Sequence, residues 1–363
     1  MVKRVMIMAG GTGGHVFPAL AVAQALQAEG VTVTWLGTRH GLEAQVIPEA
    51  GIEIDYISIQ GLRGKAKWTL LFAPFRLSLA LVQALFIMLK RRPHAVLGMG
   101  GFASGPGGVV ARLLARPLVI HEQNAVAGLT NRLLATIANR VLEAFPKAFE
   151  SGGRVRHTGN PVRLSIAQLA EPGERMKDRT GPLRILVVGG SLGALALNQI
   201  VPQAIASLPV ESRPQVRHQC GKHNCELSQQ TYDTARVDAV VTPFIKHMDE
   251  ALAWADVVVC RAGAMTVAEL AAAGVGAILV PFPYAVDDHQ SANGRYLTEH
   301  GAAEMIQQSD LSIEGLAERL QQLAEDAQHG RERIITMAEQ ARALAMPNAT
   351  DDVMQNCLEV MRG

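Results

Sequence analysis

Two doubly wound α/β domains, each laid on a parallel sheet, are the architecture this sequence predicts. Three observations point there. Two glycine-rich turns about half a chain apart each follow an apolar strand. Strand-like and helix-like stretches alternate through both halves, the pattern of parallel sheets covered on both faces. A segment rich in Gly, Pro, Arg and Glu, residues 151–181, lies between the halves.

The first turn, Gly10-Gly11-Thr12-Gly13-Gly14-His15, follows an apolar strand at 4–9. It leads into a helix over 18–29, with Pro18 near its first turn and Gly30 as its stop. Further strands are expected at 31–36, 52–57, 95–98 and 118–120, with helices among them. The second turn, Gly189-Gly190-Ser191-Leu192-Gly193-Ala194, follows a strand at 183–188. Strands near Ile185, Val216, Val240, Val257 and Ile278 each precede a helix. Residues 349–361 read as a terminal helix with no strand after it, one able to cross back onto the first domain. With the boundary near Pro161, one domain takes 1–160 and about 345–363, and the other takes 161–344. A strand that feeds a glycine turn and then a helix points backbone N–H groups and the positive helix end at one spot, which suits an anion.

Composition narrows the class. A chain of 363 residues that is 48% hydrophobic and 18% charged has enough apolar matter for two cores. The net charge of +1 gives no bulk electrostatic case for nucleic acid. Cys220, Cys225, Cys260 and Cys357 are expected to be thiols in a reducing compartment, with no disulfide framework. Cys220-Gly-Lys-His223-Asn-Cys225 lacks the second ligand pair of a metal site. Met1-Val2-Lys3-Arg4 runs directly into a strand, so no signal peptide is expected.

Residues 77–89 are apolar except for Ser78 and Gln83. A spanning helix needs about 20 apolar residues, and Pro74 and Arg76 interrupt the extension. Two readings stand: a buried or half-buried helix, or a peripheral membrane face. The second draws on Arg63, Lys65, Lys67, Arg76, Lys90, Arg91 and Arg92, and on nearby Trp68, Phe72 and Phe75. Basic residues around apolar and aromatic groups suit an anionic lipid surface.

Neither turn satisfies the dinucleotide fingerprint. Counting from Gly11, the third required glycine falls on Val16, and Gly37-Thr38-Arg39 offers no carboxylate to a ribose. The P-loop pattern is absent too. A third glycine cluster, 98–108, follows another strand, and His121-Glu122-Gln123-Asn124 ends the next. Residues 260–270 put Gly263 before a helix start near Ala264, with Glu269 about one turn in. Residues 281–293 present polar groups at the same edge. No Asp-x-Asp occurs, so a departing diphosphate would rely on helix dipoles and Arg.

In their order along the chain, residues 10–18, 98–106, 121–124, 159–163, 189–194, 260–269 and 287–293 resemble the MurG family of peptidoglycan N-acetylglucosaminyltransferases. The resemblance implies a GT-B fold: two Rossmann-like, doubly wound parallel-sheet domains facing a deep cleft. It implies inverting transfer of GlcNAc from UDP-GlcNAc to the 4-hydroxyl of MurNAc in undecaprenyl-pyrophosphoryl-MurNAc-pentapeptide (lipid I), giving lipid II, with no metal and no cofactor. The acceptor would sit on the first domain and the donor mostly on the second. The resemblance also implies a peripheral enzyme on the anionic cytoplasmic face of the bacterial inner membrane, and so favours the membrane reading of residues 68–92. Thr12, Gly13, Gly14 and Asn124 match donor contacts, and Arg163 matches a position near the hinge. Ser191 matches a diphosphate contact, and Ile245 matches the position whose backbone faces uracil. Ala264, Met265, Thr266, Val267 and Ala268 match the phosphate-binding helix start, Glu269 the ribose-binding acid and Gln290 a donor-sugar contact. Leu192 and His289 stand where the family usually has Gln.

His15 is the first candidate for the base that deprotonates the acceptor hydroxyl, because imidazole titrates near neutrality; Glu122 is the second. The competing readings are an NADP-dependent oxidoreductase with Arg39 on the 2′-phosphate, a GT-B enzyme for another acceptor, and a non-catalytic membrane-docking protein.

Overall fold

The computed structural model describes residues 2–59, 73–190 and 193–362. Arg63, Lys65, Lys67, Trp68, Phe72, Ser191 and Leu192 lie outside the described residues. The chain divides into two compact units, Met1–Arg163 with Met346–Gly363, and Leu164–Ala345.

The first unit carries seven parallel strands among the described residues: β1 (Arg4–Met8), β2 (Thr32–Gly37), β3 (Glu53–Tyr56), β4 (Ala95–Gly98), β5 (Leu118–Glu122), β6 (Arg140–Glu143) and β7 (Val155–His157). They lie in the order β3-β2-β1-β4-β5-β6-β7. Val5 to Met8 are fully buried, as a central strand covered on both faces requires. Ile7 pairs with Trp35 on one side and Leu97 on the other. The order reverses between β1 and β4, so a crevice opens at the carboxyl ends of those strands.

Helix α1 (Gly13–Ala28) starts five residues before the predicted 18, and Pro18 sits inside it. Pro18 has no amide for the carbonyl of Gly14, but the helix tolerates this so close to its start. The consequence is functional: Gly13, Gly14 and His15 form the helix's first turn. The short α2 (Glu43–Glu49) follows β2. Helix α3 (Ala73–Arg91) packs Ala80, Ala84 and Met88 into the core shared with Met6, Met8 and α4 (Ser104–Leu113). Helix α5 (Leu129–Ala135) precedes β6. Strands β6 and β7 extend the sheet beyond what sequence predicts. β7 is only three residues long, and its Arg156 and His157 are exposed, so no apolar pattern announces it.

The second unit repeats the plan. After α6 (Leu164–Ala167) and α7 (Pro172–Met176) come β8 (Arg184–Val188), α8 (Leu195–Ala206), β9 (Gln215–Gln219), α9 (Cys225–Ala235), β10 (Val240–Thr242), α10 (Met248–Trp254) and β11 (Val257–Cys260). Then follow α11 (Ala264–Ala273), β12 (Gly276–Leu279), α12 (His289–Thr298), β13 (Ala303–Met305), α13 (Ile313–Gln328) and α14 (Glu332–Ala343). The sheet is parallel in the order β10-β9-β8-β11-β12-β13, with its reversal between β8 and β11. The final helix, α15 (Ala349–Val360), returns to the first unit, where Val353, Met354, Cys357 and Leu358 share a core with Val16, Ala19, Val22 and Leu26. Within the second unit a fully buried Asp256 pairs with Arg179 at 2.7 Å and Arg331 at 3.5 Å, and accepts the Arg184 N–H at 2.9 Å.

The expectation of four thiols needs correction. Gly221, at φ +84°, turns the chain after β9 and brings Cys220 and Cys225 together as a disulfide, with Cα atoms 5.3 Å apart. Cys260 and Cys357 are buried thiols, each pushed up to about 12 by loss of solvent.

Candidate active site

In the first unit three loops meet at the carboxyl ends of β1, β4 and β5. Gly101 lies against the first glycine turn: a Cβ on it would sit 2.8 Å from the Gly10 nitrogen. The buried Ser104 hydroxyl lies 2.9 Å from the Met8 carbonyl and 2.8 Å from that of Gly100, tying the third glycine cluster to β1. The His15 ring rests on Gly100, where a Cβ would be 2.6 Å from Nδ1. His15 Nδ1 is 2.9 Å from Gln123 Oε1, so the loop after β5 reaches the start of α1.

The first turn is not an open anion cradle. Glu43, wholly buried, accepts the Gly11 N–H at 2.9 Å through Oε2. Its Oε1 accepts the Thr38 N–H and hydroxyl at 2.9 and 2.8 Å. A Cβ on Gly10, Gly37 or Gly41 would collide with this side chain. One turn amide is therefore already satisfied, and a carboxylate lies directly behind it, which opposes a diphosphate at that point. Thr12 caps α1 in extended conformation without a side-chain bond, and Gly13 and Gly14 present the helix start.

Glu122, the second candidate base, ends β5. It is 2% exposed and both oxygens are engaged. Oε1 accepts Asn124 N and Nδ2, each at 3.0 Å. Oε2 accepts Gly128 N at 3.0 Å and Asn131 Nδ2 at 2.9 Å. A carboxylate that holds four donors organises its loop, and taking a proton would break those bonds. It positions Asn124, which is half-buried. Arg163, exposed, closes the first stretch of this unit.

In the second unit the crevice lies beside β8 and β11. Gln219 braces the second turn: Oε1 accepts the Gly190 N–H at 3.0 Å, and Nε2 donates to the carbonyls of Gly190 and Pro243. Gly193, at φ +78°, lies against Cys220, leaving no space for a side chain. Helix α11 starts at Ala264 after extended Gly263, with no side-chain cap. Its first return bond is Val267 N to Gly263 O, at 2.9 Å. The N–H groups of Ala264, Met265 and Thr266 thus have no partner within the helix and suit a phosphate. Val267 is the fourth residue of α11. Its amide is taken by that bond and its side chain is fully buried. Ala268 follows inside the helix, and Glu269 is half-buried in the next turn.

Ile245 is half-buried in the loop between β10 and α10. Gln290, in the first turn of α12, accepts the Phe282 N–H at 2.8 Å and so holds the loop after β12. Arg261 is not a free cation for a leaving group. Its guanidinium donates to Val280 O, Pro281 O and Gln308 Oε1. The residues that sequence reasoning missed are those that brace loops: Glu43, Gln219 and Arg261, and Gln123 as the partner of His15. For Glu43 a signal existed in the glycines at 10, 37 and 41, which leave room for one large side chain.

Parallel sheets doubled in one chain, each with polar loops at its reversal, define a two-domain, doubly wound α/β protein. The chain belongs to glycosyltransferase family 28: residues 5–143 match the family's N-terminal domain and residues 184–353 its C-terminal domain. It is 55% identical over 361 residues to a UDP-N-acetylglucosamine--N-acetylmuramyl-(pentapeptide) pyrophosphoryl-undecaprenol N-acetylglucosamine transferase of Marinobacter nauticus, covering 99% of this chain and 98% of that protein. A protein of the same name from Nitrosococcus oceani is 55% identical over 363 residues, all of both chains. The crystal structure of Acinetobacter baumannii MurG superposes with a TM-score of 0.85 at 43% identity, covering 98% of this chain and 99% of that one. Family membership sets the oxidoreductase and non-catalytic readings aside.

Proposed function

We propose that this chain transfers GlcNAc from UDP-GlcNAc to the 4-hydroxyl of MurNAc in lipid I, forming lipid II and UDP with inversion. The observation that carries this reading is 55% identity along the whole chain to proteins with that name. In the reaction the acceptor oxygen attacks the anomeric carbon and loses its proton to His15. The bond to the diphosphate breaks on the opposite side, so the α donor gives a β product.

Charge develops on the departing UDP. The N–H groups of Ala264, Met265 and Thr266 and the positive end of α11 stabilise it. Glu269 holds the ribose, Ile245 faces uracil with its backbone, and Gln290 contacts the donor sugar. Ser191 is assigned to the diphosphate by resemblance alone, and Arg163, Thr12, Gly13, Gly14 and Asn124 are likewise assigned as donor contacts. The first unit takes the acceptor. Release of UDP that requires a lipid I analogue tests the transfer; release with any sugar lipid, or none without regard to acceptor, opposes it.

Glu269 gives a sharper check on the donor assignments. Its replacement by Ala removes a charged hydrogen bond to a ribose hydroxyl, a loss of about 1.5–3 kcal/mol. Donor KM is expected to rise by roughly tenfold or more, with kcat little changed. An unchanged KM rejects the ribose role.

The acceptor's lipid gives α3 its task. By length and composition α3 could cross a membrane, yet its Ala80, Ala84 and Met88 are buried in the core. Phe75, Leu79, Val82, Phe86 and Leu89 are exposed, and exposed Lys90 and Arg92 lie at its end, whereas Arg91 is paired with Glu53 and Asp55. These outward residues recur every three or four positions, so they form one apolar stripe. The stripe docks peripherally on the anionic cytoplasmic face of the bacterial inner membrane. Changing Phe75 and Phe86 together to Ser is expected to weaken flotation with phosphatidylglycerol vesicles by roughly tenfold, since each buries part of its apolar area. Unchanged flotation removes α3 from that role.

A further inference from the structure

We propose that Gln123 and His121 are positioning residues that hold His15 in a single tautomer, with its proton on Nδ1 and its lone pair on Nε2. This rests on the reading of His15 as the base, and it assigns the atom that acts.

The geometry is a chain of four groups. His15 Nδ1 lies 2.9 Å from Gln123 Oε1. Gln123 Nε2 lies 3.1 Å from His121 Nδ1. His121 Nε2 lies 2.9 Å from the Gly159 carbonyl. The donor and acceptor rules fix every hydrogen in it. A backbone carbonyl only accepts, so His121 carries its proton on Nε2. A neutral imidazole has one N–H, so His121 Nδ1 is a lone pair and must receive a hydrogen. Only the NH2 end of the Gln123 amide can supply it. That places the amide oxygen towards His15, and an amide oxygen only accepts. His15 Nδ1 therefore donates, and its remaining nitrogen, Nε2, carries the lone pair.

The relay starts from a group that is stable in its neutral form. His121 is fully buried, and loss of solvent pushes it down to about 4; the bond to Gly159 and the charge of Glu122 only partly offset that, and His15 adds slightly to the lowering. At neutral pH it thus keeps one proton and one lone pair. The far end is anchored as well. Gly159 has φ +75°, and the place of its missing Cβ is filled by the Met346 side chain, so its carbonyl is held in a conformation that suits glycine. Gln123 is 1% exposed, and its own backbone carbonyl accepts Asn160 Nδ2 at 2.9 Å. At the other end Gly100 lets the ring lie flush on the backbone.

Solution NMR of the full chain with 15N-labelled histidine reads the tautomer directly, with His15→Gln identifying the His15 signals. With its ring neutral, wild-type His15 is expected to show N–H at Nδ1 and a bare Nε2. Gln123→Met keeps the volume and removes both amide groups. In that variant the His15 signal should move toward a mixture of tautomers, and kcat should fall by roughly tenfold or more while donor KM stays within about twofold. Gln123→Glu restores an acceptor, so the Nδ1–H form should return and the acid limb of the kcat profile should move to higher pH. A wild-type His15 with its proton on Nε2 overturns the proposal whether or not either variant folds. So does a Gln123→Met protein whose His15 tautomer is unchanged. If the tautomer shifts as expected but His15→Ala keeps its turnover, the relay stands and the base assignment falls.

Discussion

His15→Ala lowers kcat by about 10²–10⁴-fold, the usual contribution of a well-placed general base. The acceptor hydroxyl has a pKa far above neutrality, so its oxygen attacks well only as its proton leaves. In the first unit His15 is the titratable side chain that lies beside both the glycine turn and the loop after β5. Glu122, the other candidate, is fully engaged with four donors. The loss belongs in kcat, since the diphosphate and ribose contacts assigned to the second unit remain, and donor KM should change by no more than about twofold. Steady-state kinetics with varied UDP-GlcNAc, on a variant with an unchanged circular dichroism spectrum, decides it. Turnover within about threefold of wild type would remove His15 from proton transfer.

Asp256→Ala destabilises the second unit by about 3–5 kcal/mol, the cost of breaking a buried ion pair from one side. Asp256 is fully buried, and its partners Arg179 and Arg331 are 8% and 3% exposed. Removing the carboxylate leaves two guanidinium groups facing each other without solvent, and leaves the Arg184 amide without its acceptor. Arg179 also ties the carbonyls of Ala253, Trp254 and Ala255 and so fixes the entry into β11, the strand that leads to the phosphate-binding end of α11. Urea unfolding should show the second unit's midpoint falling with its slope preserved. A change below about 1 kcal/mol would mean that the guanidinium groups find other compensation.

The contrast between these two residues marks what could be read in advance. His15 is legible because it sits in a run of glycines after an apolar strand, and the need for tight backbone at a helix start writes itself into residue type. The same logic located Gly189, Gly263 and the helix that presents Ala264. Asp256 is not legible: between Ala255 and Val257 it reads as a polar strand edge, and only the return of α14 brings Arg331 to it. Glu43 looks like a solvated charge in a short helix until β2 and the first turn fold around it. Gln123 was one of four polar residues at a strand end, and its particular value lies in distances to His15 and His121. Strands β7 and β13 are short edge strands whose pairing is set by neighbours and leaves little periodicity in their own residues. Local backbone demands were readable; long-range polar partnerships were not.

The central claim is inverting transfer of GlcNAc to the muramyl 4-hydroxyl of lipid I. Incubating the full chain with UDP-GlcNAc and a short-chain lipid I analogue, then recording the mass and the proton NMR spectrum of the lipid product, tests it most directly. The expected product has gained one N-acetylhexosamine in a β1→4 linkage, with one UDP released for each sugar transferred. An α-linked product, attachment at another hydroxyl, or UDP release without sugar on the lipid would contradict it.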